Sequence, residues 1–75
     1  MKKKVRFDYS RLKGRIVEIF GTAGRFAEAL GFKPNMLTAR MRNGTPWKDC
    51  EIYAACELLG ISPEEIPVYF FAVKF

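Results

Sequence analysis

Seventy-five residues, 49% of them hydrophobic and including seven Phe, three Tyr and one Trp, suffice for one small domain with an apolar core, not for a cleft between two lobes. The chain has no His, and Cys50 and Cys56 are spaced as no zinc or redox pattern requires, so no metal, no cofactor and no disulfide is expected. The net charge of +5 divides unevenly: residues 1–48 hold twelve Lys or Arg against Asp8, Glu18 and Glu28 (+9), and residues 49–75 hold Lys74 against Asp49, Glu51, Glu57, Glu64 and Glu65 (−4). A basic part followed by an acidic remainder suits a polyanion-binding face with a solvated back. No nucleophile–base pair or paired carboxylates have a credible setting, so no enzyme is expected. No apolar run spans a bilayer or follows the basic N-terminus as in a signal peptide, so the expected protein is cytoplasmic, with no membrane partner.

Lys2, Lys3 and Lys4 open the chain as a phosphate-tracking arm or a solvated terminus. Val5 and Phe7 share one side of an extended segment that suits a short strand. A first helix is expected from Ser10 to Phe20, with Asp8 and Ser10 as alternative N-caps. Leu12, Ile16, Ile19 and Phe20 form its apolar stripe and Val17 lies at the margin. Arg11, Lys13, Arg15 and Glu18 mostly face away, and Gly21 ends the helix.

The stretch Thr22 to Gly44 reads as two short helices around a tight turn. Thr22 is a good N-cap, and the second helix runs from there to Leu30. Phe26 and Leu30 are core positions, and Ala27 keeps the helix crossing close. Gly31 makes the turn, where a positive φ costs glycine little, and Phe32 returns to the core. The third helix starts near Lys33 with Pro34 in its first turn, where the missing N–H is harmless. Leu37 and Met41 face inward. Pro34, Asn35, Thr38, Ala39 and Arg42 occupy the other side, which with Lys33 makes a face of short residues ending in one long base. Such a face fits the major groove, and these six residues are the candidate base contacts. Thr22, Ala23, Arg25, Asn43 and Lys48 are candidates for phosphate, the first three at a helix N-terminus. Arg40 is expected to lie across the surface with its charge outward. Met36 packs on the core or reaches a base.

Asn43, Gly44 and Thr45 close the third helix, and their backbone groups are offered to phosphate. Trp47 is expected to brace helices three and four. The fourth helix covers Lys48 to Leu59, with Ile52, Ala55, Cys56 and Leu59 buried and Tyr53 at the edge. Gly60 stops it, and Ile61 packs at the turn. Ser62, Pro63, Glu64 and Glu65 are a strong start for a fifth helix, which Pro67 limits to a turn or two. The tail, residues 68–75, carries Tyr69, Phe70, Phe71, Val73 and Phe75, too many apolar groups for a loose end. An extended 71–75 segment either pairs with residues 5–7 of its own chain or meets a second copy. Tyr69, Phe71, Val73 and Phe75 are the candidate dimer contacts.

Four segments, FDYSRLKGRIVEIFGT, FAEALGF, MLTARMRNGTPWKDCEI and ELLGISPEEIPVYFF, appear in an order and spacing that resemble small phage Cro-like repressors, a group also catalogued as uncharacterised phage proteins of the helix-turn-helix class. The resemblance implies one all-α, lambda-repressor-like domain over residues 1–75, its helix-turn-helix unit at 22–44; the spacing above makes it five helices, with short strands at the N- and C-termini as an option. It implies a DNA-binding transcriptional regulator, often a homodimer. Two positions depart from the common pattern: Ala23 stands where Gln often clamps the backbone, and Lys33 where Ser or Thr is common. The expected function is sequence-specific binding of double-stranded DNA, repressing by operator occupancy, with no small-molecule effector. The alternatives are an architectural or recombination-directionality protein, and an antitoxin or adaptor that binds a protein through its aromatic tail.

Overall fold

In the computed structural model, which describes residues 6–74, five α-helices follow one another: α1 (Ser10–Phe20), α2 (Ala23–Leu30), α3 (Pro34–Met41), α4 (Asp49–Leu59) and α5 (Ile66–Phe70), the last led in by a 3-10 turn at Pro63–Glu65. The lysine arm at 2–4, Val5 and Phe75 lie outside the described residues.

The ends of α1 are set by local chemistry. Asp8 Oδ1 accepts from the Ser10 N–H at 3.0 Å and from its hydroxyl at 2.7 Å, so Asp8 works from two residues upstream while Tyr9 takes the cap position. Gly21 closes the helix at φ 84°. Leu12 and Ile16 are buried and Phe20 is half-buried against the core, but Ile19 is 47% exposed, which corrects its place in the stripe. Arg15, expected to face away, crosses to the end of α4, where its Nε donates to the Leu59 carbonyl at 2.9 Å. A cation on the last carbonyls of a helix meets both their free lone pairs and the negative end of the helix dipole.

One core joins the helices. Leu12, Ile16, Phe26, Leu37, Leu59 and Phe70 are among its buried members, with Ala27 between α2 and its neighbours. Tyr9, outside the apolar stripe expected for α1, belongs to it as well, 8% exposed. Its spacing was the available signal, since Tyr9, Leu12 and Ile16 continue one helical face a turn upstream. Burial raises the Tyr9 hydroxyl above its ordinary pKa. Phe26 and Phe70, both almost wholly buried, each remove a large apolar surface from water. Trp47 does not brace α3 against α4 alone. Its ring lies 6.2 Å from Phe32 and edge-on to Phe70 at 5.2 Å, linking the α2–α3 turn to α5.

The termini pair within the chain. Phe7 and Val73 form an antiparallel bridge, with Asp8 N–H donating to the Ala72 carbonyl at 2.6 Å and Lys74 N–H to the Arg6 carbonyl at 2.8 Å. Among the described residues this is an isolated bridge and not a pair of strands. Phe70 ends α5 in the core, and the Phe71 ring packs edge-on against Phe7 at 5.7 Å.

Candidate nucleic-acid interface

Four local devices fix α2 against α3. Thr22 is extended, and its Oγ1 accepts the Arg25 N–H at 3.2 Å, capping α2. Gly31 adopts the left-handed conformation at φ 79°, where a Cβ would be strained. Phe32 N–H then donates to the Ala27 carbonyl at 2.8 Å, closing the turn. Pro34 occupies the first turn of α3, with Lys33 extended before it. Ala27 and Leu37 are both buried, Leu30, Phe32 and Met41 half-buried.

This geometry leaves one side of α3 open. Lys33, Pro34, Asn35, Thr38 and Arg42 are exposed. The Thr38 hydroxyl donates to the Pro34 carbonyl at 3.2 Å, which leaves its oxygen free to accept. Ala39 is half-buried, and its carbonyl receives the Gly44 and Thr45 N–H groups at 2.8 and 3.2 Å. Ala23, Gly24 and Arg25 are exposed at the start of α2. A shallow groove of about 690 Å³ separates these two faces from α1, bordered by Lys13, Arg42, Arg6 and Lys74 with Asp8 as its acid. Of the candidate contacts, Pro34 and Thr38 of α3, its C-cap Arg42 and Ala23 of α2 line this groove, whose rim is mainly cationic.

Three residues of this region have partners that their spacing does not suggest. Arg40 is only 6% exposed and its charge points inward. Its Nε and Nη2 donate to Glu51 Oε1 and Oε2, both at 2.8 Å, its Nη1 to the Met36 carbonyl at 3.1 Å, and its guanidinium lies 4.8 Å from the Phe32 ring centre. Two parallel bonds and an aromatic face are what a planar guanidinium can use and an exposed position cannot supply. Asn43 has its N–H and most of its side chain committed inside the fold, with one amide hydrogen of Nδ2 left over. Its Oδ1 accepts from Phe7 N–H at 2.8 Å, its Nδ2 donates to the Phe7 carbonyl at 3.0 Å, and its own N–H donates to Arg40 at 3.2 Å. With Gly44 and Thr45 also bonded internally, the backbone of this turn is spent. Lys48 caps α4 instead of lying within it, and its N–H donates to Glu51 Oε1 at 2.9 Å, while its side chain remains exposed.

Glu51 therefore serves α3 and α4 together. The Arg40 hydrogen bonds hold its carboxyl below its ordinary pKa, against the opposing effect of burial and with help from the Lys48 N–H. Asp8 is likewise lowered, chiefly by the Ser10 hydroxyl. Burial pushes the Cys56 thiol up, and Cys50 is exposed. Among the described residues no three His, Cys, Asp or Glu gather as a metal site, and no helix is long and apolar enough to cross a membrane.

Of the candidate dimer contacts, Tyr69 is half-buried against the core, whereas Phe71 and Val73 are 49% and 48% exposed. Val68, also 43% exposed, precedes them.

Residues 5–73 match a family described as "Protein of unknown function (DUF739)". The chain belongs to that family. It is also similar to the modulator of repression (MOR) of the temperate bacteriophage TP901-1 from Lactococcus lactis, whose solution structure superposes with a TM-score of 0.78 at 40% identity, covering 87% of this chain and 88% of that one. No curated protein matches the chain. The similarity is to a phage regulatory protein, at a level coarser than a Cro-type repressor.

Proposed function

We propose that this protein is a non-enzymatic regulator that modulates transcriptional repression in a temperate-phage circuit, and that its α2–α3 face binds double-stranded DNA in the cytoplasm. One observation carries the reading: Pro34, Asn35 and Thr38 of α3 and its caps Lys33 and Arg42 are all exposed, as is the N-terminus of α2. In this reading Asn35 pairs with adenine, Thr38 meets a thymine methyl or a base donor, and Arg42 reaches guanine or a phosphate. Thr22, Ala23 and Arg25 position the backbone. A homodimer of the Cro type would occupy two half-sites about one helical turn apart, ~34–36 Å.

A second reading has its own support. Repression is modulated either at the operator or by engaging the repressor itself, and MOR is a modulator of repression. Phe71 and Val73, half-exposed on the tail, offer apolar anchors for such a protein partner. The tail as a whole is not free for it, because Phe70 is in the core.

Titration of a duplex from the protein's own locus at two salt concentrations tests the first reading. Thr38→Ala is expected to relax sequence preference, and Lys33→Ala to lower affinity on all duplexes with a salt slope shallower by about one. Co-purification with the repressor of the same locus, lost in Phe71→Ser with duplex binding unchanged, would favour the second. If neither substitution on α3 alters DNA binding, the α3 contact assignment is wrong.

A further inference from the structure

The recognition face sits on a helix with little apolar hold of its own. Two residues of α3 are buried, Leu37 and Arg40, and one of them is charged. Met41 adds a half-buried contact with the core, and two polar side chains supply the directional part of the attachment. At mid-helix, Arg40 forks onto both oxygens of Glu51 at 2.8 Å, and Glu51 is tied in turn to the first turn of α4 through the Lys48 N–H at 2.9 Å. Just past the end of the helix, Asn43 takes both backbone groups of Phe7, at 2.8 and 3.0 Å. It does so from a left-handed conformation, φ 64°, the one positive φ outside glycine among the described residues. Phe7 is itself pinned on its other edge, where its neighbours Arg6 and Asp8 bond to Lys74 and Ala72.

Apolar packing resists withdrawal from the core but allows sliding and rotation, because it is non-directional. A bidentate fork and a two-bond amide clamp are directional, and each is satisfied in one geometry. We infer that Arg40 and Asn43 are positioning residues: two polar clamps, one at the middle of α3 and one beyond its end, set the attitude of the recognition face. The inference rests on α3 being the contacting helix, and it adds a specific requirement. Sequence discrimination depends on residues that touch no base.

Two variants separate positioning from folding. Asn43→Gly keeps the left-handed backbone accessible and deletes the clamp. The pair Arg40→Met with Glu51→Leu replaces the fork by apolar groups of similar volume, a change that buried ion pairs often tolerate without loss of stability. Both are expected to keep the helical circular dichroism of the parent. Amide hydrogens of α3 are expected to exchange at least tenfold faster than in the parent, with those of α1 unchanged, and the preference for a selected duplex over a scrambled one to fall at least tenfold. Arg40→Lys, which keeps charge but not the fork, is expected to fall between. Unchanged α3 exchange, or a duplex preference equal to the parent's, overturns the inference. If the parent protein shows no duplex preference, the DNA reading fails, and the exchange measurement still decides whether the clamps position α3. A variant that unfolds is replaced by Asn43→Asp, which can accept from Phe7 N–H but cannot donate to its carbonyl, and the same two measurements decide.

Discussion

Arg40, in the last turn of α3, and Arg42, its C-cap, are two residues apart, and their surroundings differ completely. Arg40 is 6% exposed, forked onto Glu51 and laid against Phe32, and Arg42 is exposed at the edge of the groove. The comparison teaches that a basic helix need not leave all its charge to solvent or to a partner. One arginine anchors the helix to the fold, and the other is left exposed, available for the recognition role proposed above. The same division holds at the next residues, where Asn43 is committed to Phe7 while Asn35 stays free.

The comparison breaks first at its buried side. Glu51→Ala leaves Arg40 buried and unpaired and also removes the acceptor of the Lys48 N–H, so it is expected to destabilise by roughly 3–5 kcal/mol in urea titration. Arg42→Ala removes an exposed side chain, and its expected stability change is within about 0.5 kcal/mol. If both variants lost the same stability, the two arginines would not be playing different parts.

Acid provides the next largest effect. Because Arg40 lowers the Glu51 carboxyl in the folded protein, the stabilisation is full above the unfolded value near 4.5 and is lost as the pH falls through the lower folded value. The melting temperature is therefore expected to drop below about pH 4.5, and Glu51→Gln to flatten that drop. Asp8, also lowered, acts in the same acidic window, so part of the slope should survive in Glu51→Gln. A slope identical to the parent's would place the acid sensitivity elsewhere.

Smallest in stability, and sharpest for function, is Thr38→Ala. Loss of its one bond to the Pro34 carbonyl should move stability little, whereas base preference should relax. A fully retained preference would remove Thr38 from the recognition face.

The parts of the fold governed by local chemistry were legible in the sequence. Thr22, Gly31, Pro34 and Gly60 mark helix ends because caps, left-handed turns and first-turn prolines are decided within a few residues. The exposed side of α3 was legible for the same reason, from its 3.6-residue period. Contacts between distant residues were not. Arg40 sits at the border of the inner face, and a helical period does not reveal that Glu51, eleven residues on and in another helix, will meet it. The Asn43 clamp on Phe7 bridges 36 positions, and its only local trace is the Asn43-Gly44 pair, which signals a turn without naming a partner. Ile19 belongs to the apolar stripe of α1 yet is 47% exposed, because a stripe gives a direction but not the width of the surface that covers it.

The most direct test of the central claim, that the exposed face of α3 reads DNA while its buried side holds it in place, is selection from a random duplex pool at two salt concentrations. The expected result is an enriched motif of two related half-sites about one helical turn apart, ~34–36 Å, weakened by salt and degraded at specific positions in Thr38→Ala. Absence of any enriched sequence at either salt concentration, with a folded protein, would contradict it and turn attention to Phe71 and Val73 as the working surface.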